Sequence, residues 1–189
     1  MTKTKLQNLV MAVLALWALN SCTGIPPGLT VVQPFVLEQY LGTWYEVARL
    51  DHRFERGLTQ VSAVYSLQPD GSVKVLNRGY SAAEAQWQEA EGVARFVDAP
   101  DQGALKVSFF GPFYGAYNIV RLTPDYSMAL VVGPDLTYGW LLARSQTPDP
   151  QQCAAFYQYA SEIGIRSADW IRLIRCSPNA AEVPMVKAE

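Results

Sequence analysis

The chain has 189 residues, a formal net charge of −2 and a composition that is 50% hydrophobic and 17% charged. That length suits one domain with a sizeable core. The charge balance offers no basic surface for a nucleic acid or for binding by charge alone to anionic lipid, so composition supports neither partner.

At the N-terminus Lys3 and Lys5 precede an apolar run from Leu9 to Leu19, followed by Asn20-Ser21-Cys22. The run falls well short of the ~20 residues that span a bilayer as a helix. A small residue before a cysteine suits a lipoprotein cleavage site. Residues 1–21 therefore read as a signal peptide that leaves Cys22 as the first, acylated residue; an ordinary signal peptide with a chance cysteine is the competing reading. Two or three acyl chains would give stable attachment where one does not, at roughly 0.8 kcal/mol per buried CH₂. In bacterial lipoproteins, which this leader resembles, an aspartate after the cysteine retains the protein at the inner membrane. Thr23 stands there instead, so the expected location is the outer membrane, lipid-anchored on its periplasmic face. Residues 22–35, rich in Pro and Gly, read as a tether, with the folded domain over 36–177 and a tail over 178–189.

From Gly42 to Ser145 short segments rich in Val, Tyr, Phe and Trp alternate with turn signals such as Pro69-Asp70-Gly71, Gly111-Pro112, Thr123-Pro124-Asp125 and Gly133-Pro134-Asp135. Eight strands fit between them, near 43–50, 59–68, 72–80, 86–97, 103–110, 114–122, 127–132 and 138–145. Such a meander is the signature of an all-β, closed, up-and-down antiparallel barrel. A helix follows, with Asp149 as its cap, Pro150 at its first position and Gly164 at its end. Ala154, Phe156, Tyr157, Ala160 and Ile163 recur at helical spacing, giving a stripe to pack outside the barrel. A short last strand spans Trp170 to Ile174. Cys153 and Cys176 form an even pair in an exported chain and read as one disulfide; two buried free thiols or a reactive cysteine are the other readings. The disulfide would close a loop of about 24 residues, for which chain entropy gives roughly 3 kcal/mol.

Catalysis requires nucleophiles, bases or metal ligands within reach of one another. The single histidine, His52, lies in the charged stretch Asp51-His52-Arg53-Phe54-Glu55-Arg56-Gly57 between the first two strands, where a barrel puts a solvated or mouth-forming loop. A Ser-His-acid site built on it has little support, and one histidine with scattered carboxylates makes a poor metal site. What the chain has in quantity is aromatic surface: five Trp, ten Tyr and seven Phe. An eight-stranded barrel holds either packed side chains or one small ligand, and aromatic content alone leaves both open.

Gly42-Thr43-Trp44-Tyr45-Glu46-Val47-Ala48-Arg49 matches the Gly-x-Trp motif that opens the first strand of the lipocalins. Thr123-Pro124-Asp125-Tyr126 resembles the family's Thr-Asp-Tyr turn with one inserted proline, and Arg144 stands at the end of the eighth strand. Two longer strings, 51–57 and 107–115, are similar to those of bacterial outer-membrane lipocalins. The cysteine pair is not part of the family pattern. The resemblance implies binding of fatty acids or lysophospholipids in a barrel cavity, no cofactor, and a role in storing or transporting envelope lipid under stress. It also implies that Gly42, Trp44 and Arg144 build the closed end, with the arginine over the tryptophan.

Parity then assigns cavity candidates. If Trp44 points inward, Glu46 and Ala48 share its face, and Arg144 shares a face with Leu142, Trp140 and Tyr138. Tyr138 and Trp140 lead; Tyr117, Asn77, Val75 and Trp87 follow, since a bulge would reverse parity. A buried Glu46 would need a partner or a raised pKa and would meet a ligand headgroup. The competing functions are a haem- or pigment-binding lipocalin, which wants a His or Tyr in the cavity, and a lipocalin-fold enzyme, which wants a nucleophile there. A homodimer is allowed, although no patch specifies one.

Overall fold

The computed structural model describes residues 23–176; the leader and Cys22 lie outside the described residues, as does the tail beyond them. A short helix α1 (Leu37–Tyr40) leads into eight antiparallel strands: β1 (Gly42–Leu50), β2 (Leu58–Leu67), β3 (Val73–Ser81), β4 (Gln86–Phe96), β5 (Ala104–Phe110), β6 (Phe113–Leu122), β7 (Met128–Val132) and β8 (Gly139–Ala143). Helix α2 (Pro150–Glu162) and strand β9 (Trp170–Arg172) follow. The order β2-β3-β4-β5-β6-β7-β8-β1-β9, closed by β1 on β2, makes an up-and-down barrel with β9 added outside. Helix α1 went unread in the sequence because four residues carry too little periodicity to register.

Turn chemistry sets the strand ends. At the β2–β3 turn, Gly71 takes a φ of +79° and the Asp70 carboxylate accepts from Ser72 N and Oγ, the self-bonding that suits aspartate to turns. At the β6–β7 turn Thr123 Oγ1 accepts from Ser127 N and Met128 N.

Alternation splits the core in two. The interior holds Phe35, Tyr40, Trp44, Tyr65, Val75 and Ile119 among others. A second core, built from Val47, Ala48, Val120, Leu130 and Leu141, lies on the outer wall under α2 and β9. The register of β1 against β8 slips between Glu46 and Ala48. Val47 and Ala48 therefore both belong to the outer core, and Ala48 does not share the face of Trp44 and Glu46 as strict alternation would have it. A bulge inserts one residue and reverses parity beyond it, which turns Arg49 inward.

In α2 the Asp149 carboxylate accepts from Gln151 N and Gln152 N at 2.9 and 2.8 Å, satisfying amide groups the first turn leaves free. Gly164, at φ +102°, ends it. The buried stripe is Cys153, Phe156 and Ala160, whereas Ala154 is exposed: the helix is rotated so that the disulfide half-cystine faces the wall. Cys153 is bonded to Cys176, with Cα atoms 6.0 Å apart, which fastens the chain beyond β9 to the start of α2.

Residues 24–35 do not hang free as a tether. Val32 N donates to Ile119 O, Gly103 N to Val32 O and Phe35 N to Asp101 O, while Pro26 and Phe35 are buried. The segment is laid along the barrel wall because its prolines and apolar residues find surface there to cover.

Candidate functional site

One end of the barrel is shut. The Arg144 guanidinium lies 4.0 Å from the Trp44 ring centroid. It donates to Thr43 O, Gln39 O and Leu41 O, each at 2.8 Å, and to Tyr126 O at 3.3 Å. Gly42 has a φ of +91° beneath it, a conformation glycine adopts without steric cost. Trp44 Nε1 donates to Tyr40 O at 2.8 Å, and Phe35 packs beside Tyr40 and Tyr126. Gly42, Trp44 and Arg144 thus lie together at the closed end.

Above this plug sits a chain of three phenols. Tyr117 OH lies 2.7 Å from Tyr40 OH and 2.8 Å from Tyr65 OH. Burial pushes all three pKa values up, so they stay neutral and satisfy one another. Tyr117 faces inward as expected, but its hydroxyl is committed to this floor. Tyr40 and Tyr65 were not among the expected residues: Tyr40 sits on the short helix α1 that carried no periodic signal, and the parity of Tyr65 on β2 carried no hint of a shared hydrogen bond.

The wall of β3 and β4 shows where parity succeeds and fails. Val75 is buried in the interior core and Asn77 shares its face, its Oδ1 buried without a hydrogen-bond partner among the described residues. Trp87 pairs with Tyr80, and directly opposed residues share a face. Three positions separate Tyr80 from Asn77, so Trp87 lies on the outer face, with the Arg78 guanidinium 4.2 Å from its ring. It is not a cavity residue. Residues 86–91 of β4 are exposed at successive positions, which leaves the inner side of this wall open to solvent.

The mouth is bounded by the β1–β2, β3–β4, β5–β6 and β7–β8 connections, and a buried charge cluster lies just inside it. The bulge brings Glu46 and Arg49 onto one face, with Arg49 Nη1 donating to Glu46 Oε1 at 2.8 Å; the two side chains are 3% and 2% exposed. Arg49 Nη2 donates to Glu55 O and Leu58 O, bridging the seam where the β1–β2 ladder has ended. His52 Nε2 lies 3.0 Å from Glu55 Oε2, and Trp140 Nε1 donates to that same oxygen at 3.0 Å. The His52 ring packs 5.1 Å from Trp140 and 6.1 Å from Tyr138. His52 and Glu55 of loop 51–57 thus turn into the mouth, with His52 buried rather than solvated, while the other residues of the loop stay exposed. Glu46, Tyr138 and Trp140 all meet here. Arg49, His52 and Glu55 join them unforeseen; the adjacent apolar pair Val47-Ala48, interrupting alternation between two charges, was the signal.

The carboxyls divide the protons between them. Burial and the nearby Glu55 charge push Glu46 up to about 8, against the pull of Arg49. Burial also raises Glu55, but hydrogen bonds from His52 and Trp140 and the nearby His52 and Arg49 charges outweigh it and hold that carboxyl below the usual range. Glu55 ionises first, and Glu46 keeps its proton well above the ordinary range. Arg49 Nε and His52 Nδ1 are buried with no hydrogen-bond partner among the described residues. His52 faces a carboxylate and aromatic rings, an arrangement that orients no nucleophile.

A profile of the lipocalin-like domain matches residues 35–174. The outer membrane lipoprotein Blc of Escherichia coli (strain K12) is 52% identical over 145 residues, covering 76% of this chain and 82% of that one. Its namesake in Vibrio cholerae is 51% identical over 147 residues, covering 77% and 86%. Among solved structures, the cockroach allergen Per a 4 superposes with a TM-score of 0.63 at 17% identity, over 82% of this chain and 95% of that one, a likeness of fold. The relatives' name agrees with the outer-membrane location read from the leader, and the chain belongs to the lipocalin-like family.

Proposed function

We propose that this protein is a carrier of single-chain lipids, fatty acids or lysophospholipids, anchored through acylated Cys22 at the periplasmic face of the outer membrane. It would store lipid or move it to maintain the envelope under stress. One observation carries the reading. The barrel interior is apolar and aromatic, and the buried atoms Arg49 Nε and His52 Nδ1 just inside the mouth, with Asn77 Oδ1 on β3, have no hydrogen-bond partner among the described residues. A buried polar group without a hydrogen bond costs roughly 1–3 kcal/mol, a cost that a bound polar headgroup removes.

The acyl chain leaves water for the interior and gains on the order of 25 cal/mol per Å² buried. It would run past Trp140 and Val75 toward the tyrosine floor, with its head among Arg49, Glu46 and Asn77. A protonated Glu46 donates a hydrogen bond without repelling an anionic head, and Arg49 supplies the positive charge. Carrier chemistry needs nothing more, since no bond is made or broken.

Native mass spectrometry of the Cys22→Ser protein purified from its host, followed by titration with fatty acids and lysophospholipids of graded length, tests this. Co-purifying lipid and affinity that rises with chain length are expected. A protein that arrives empty and binds none of them refutes the carrier, and a mass matching a haem or pigment would replace it.

A further inference from the structure

The chain leading to Cys22 is held at the foot of the β7–β8 connection. Asn118, on the outer face of β6 and fully buried, donates from Nδ2 to Gly24 O at 3.2 Å and to Gly133 O at 3.1 Å. Gly133 opens the β7–β8 connection, on the mouth side. Val32, bonded to Ile119 and Gly103, attaches at the next position of β6, and from there the chain reaches Phe35 at the closed end. Cys22 stands two positions before Gly24, a reach of about 7 Å fully extended.

Around the mouth, the β7–β8 connection lies between the β5–β6 hairpin and the β1–β2 loop. Those two neighbours carry the most exposed aromatic side chains among the described residues: Phe110 at 73% and Phe113 at 78% exposed, paired across the hairpin, and Phe54 at 58%. The Arg53 guanidinium stands 5.0 Å from the Phe54 ring, an aromatic and a cation side by side as a phospholipid interface favours. Across the mouth, the β3–β4 turn offers Ala82-Ala83-Glu84-Ala85, with no large apolar side chain.

We propose that the mouth is a membrane-docking surface: Phe54, Phe110 and Phe113 seat in the phospholipid leaflet that holds the Cys22 anchor, turning the barrel opening toward the bilayer. The inference rests on the acylation of Cys22 proposed above. A long spacer would let the barrel tumble; a two-position reach from an anchored Gly24, on the side of the barrel that carries the β5–β6 and β1–β2 phenylalanines, does not. An acyl chain then passes between leaflet and barrel without crossing bulk water, which removes the main cost of moving it.

The test uses the processed, lipidated full chain in vesicles of phosphatidylethanolamine and phosphatidylglycerol carrying acyl-brominated lipid. Tryptophan is introduced as Phe113→Trp at the mouth or Leu67→Trp, exposed at the closed end of β2. The added emission should be lost to bromine quenching in the first protein and retained in the second; equal quenching, or quenching only at Leu67, overturns the proposal. Flotation with the vesicles reports acylation separately. In a Cys22→Ser background, replacing Phe110 and Phe113 by Ser should weaken vesicle partition at least about tenfold. Partition that is absent, or unchanged by the pair, overturns the docking surface whether or not the chain is acylated.

Discussion

The two ends of the barrel use similar side chains to opposite ends. At the closed end Arg144 finds four carbonyl acceptors and an aromatic face, and the three tyrosine hydroxyls satisfy one another. At the mouth another arginine, Arg49, shares its bonds with Glu46 and two carbonyls, and its Nε and the His52 Nδ1 have no hydrogen-bond partner among the described residues. Buried polar groups in folded proteins are nearly always paired, so the end where they are not is where we propose a ligand head to bind. The comparison teaches that both ends are rich in aromatic side chains and differ in polar satisfaction, and it is on that difference that the proposed headgroup site rests.

The largest expected effect lies at the plug. Trp44→Ala should destabilise the fold by about 3–5 kcal/mol, the range for deleting a buried aromatic, measured by urea unfolding. Lipid affinity under conditions where the variant stays folded should change little. A large loss of affinity with an intact fold would mean that the closed end contacts ligand, and the comparison would fail.

Next comes the pH response of the mouth. The folded value of Glu46, about 8, lies above its unfolded value near 4.5. Its contribution to stability is therefore fully present below about 4.5 and is lost as the pH rises toward 8. Glu55, depressed in the fold, acts in the opposite sense and loses its contribution on acidification. Glu46→Gln should flatten the decline between pH 4.5 and 8 in thermal unfolding. In the parent, fatty-acid affinity should fall as Glu46 ionises, because two like charges then meet in a desolvated mouth, whereas a zwitterionic lysophospholipid should respond less. Identical pH profiles for the two ligands would remove Glu46 from the headgroup site.

Trp140→Ala sharpens the same contrast more gently. It should weaken lipid affinity by about 1–2 kcal/mol through lost apolar contact and release the Glu55 carboxylate, with the barrel still folded in circular dichroism. Global unfolding would show Trp140 to be core. The smallest effect belongs to Trp87→Ala on the outer face, expected within about 0.5 kcal/mol for both stability and affinity; a clear loss of binding would put that side chain at the ligand.

Much of the architecture was legible in the chain because it follows from local chemistry. Alternating apolar residues between Pro, Gly and Asp turns gave the strands, Asp149 and Pro150 the start of α2, and Gly164 its end. The Gly42-Thr43-Trp44 motif and Arg144 gave the closed end, and the leader up to Cys22 gave the expected anchor. Each is a matter of period, propensity or a short motif, all of which act within a few residues.

What the tertiary structure alone decided lies wherever one local choice redirects distant groups. A bulge at Val47-Ala48 turned Arg49 inward and Ala48 outward, and so assembled a mouth cluster with His52, Glu55 and Trp140 that period-two counting forbids. The pairing of Trp87 with Tyr80 put an attractive cavity candidate on the outside. The Pro- and Gly-rich segment before α1 read as a tether, yet backbone bonds to Ile119, Gly103 and Asp101 and the Asn118 clamp on Gly24 laid it along the wall. Register and long-range hydrogen bonds are relations between segments far apart in sequence; composition and periodicity describe only what lies within one segment, so these relations become readable only once the barrel has closed.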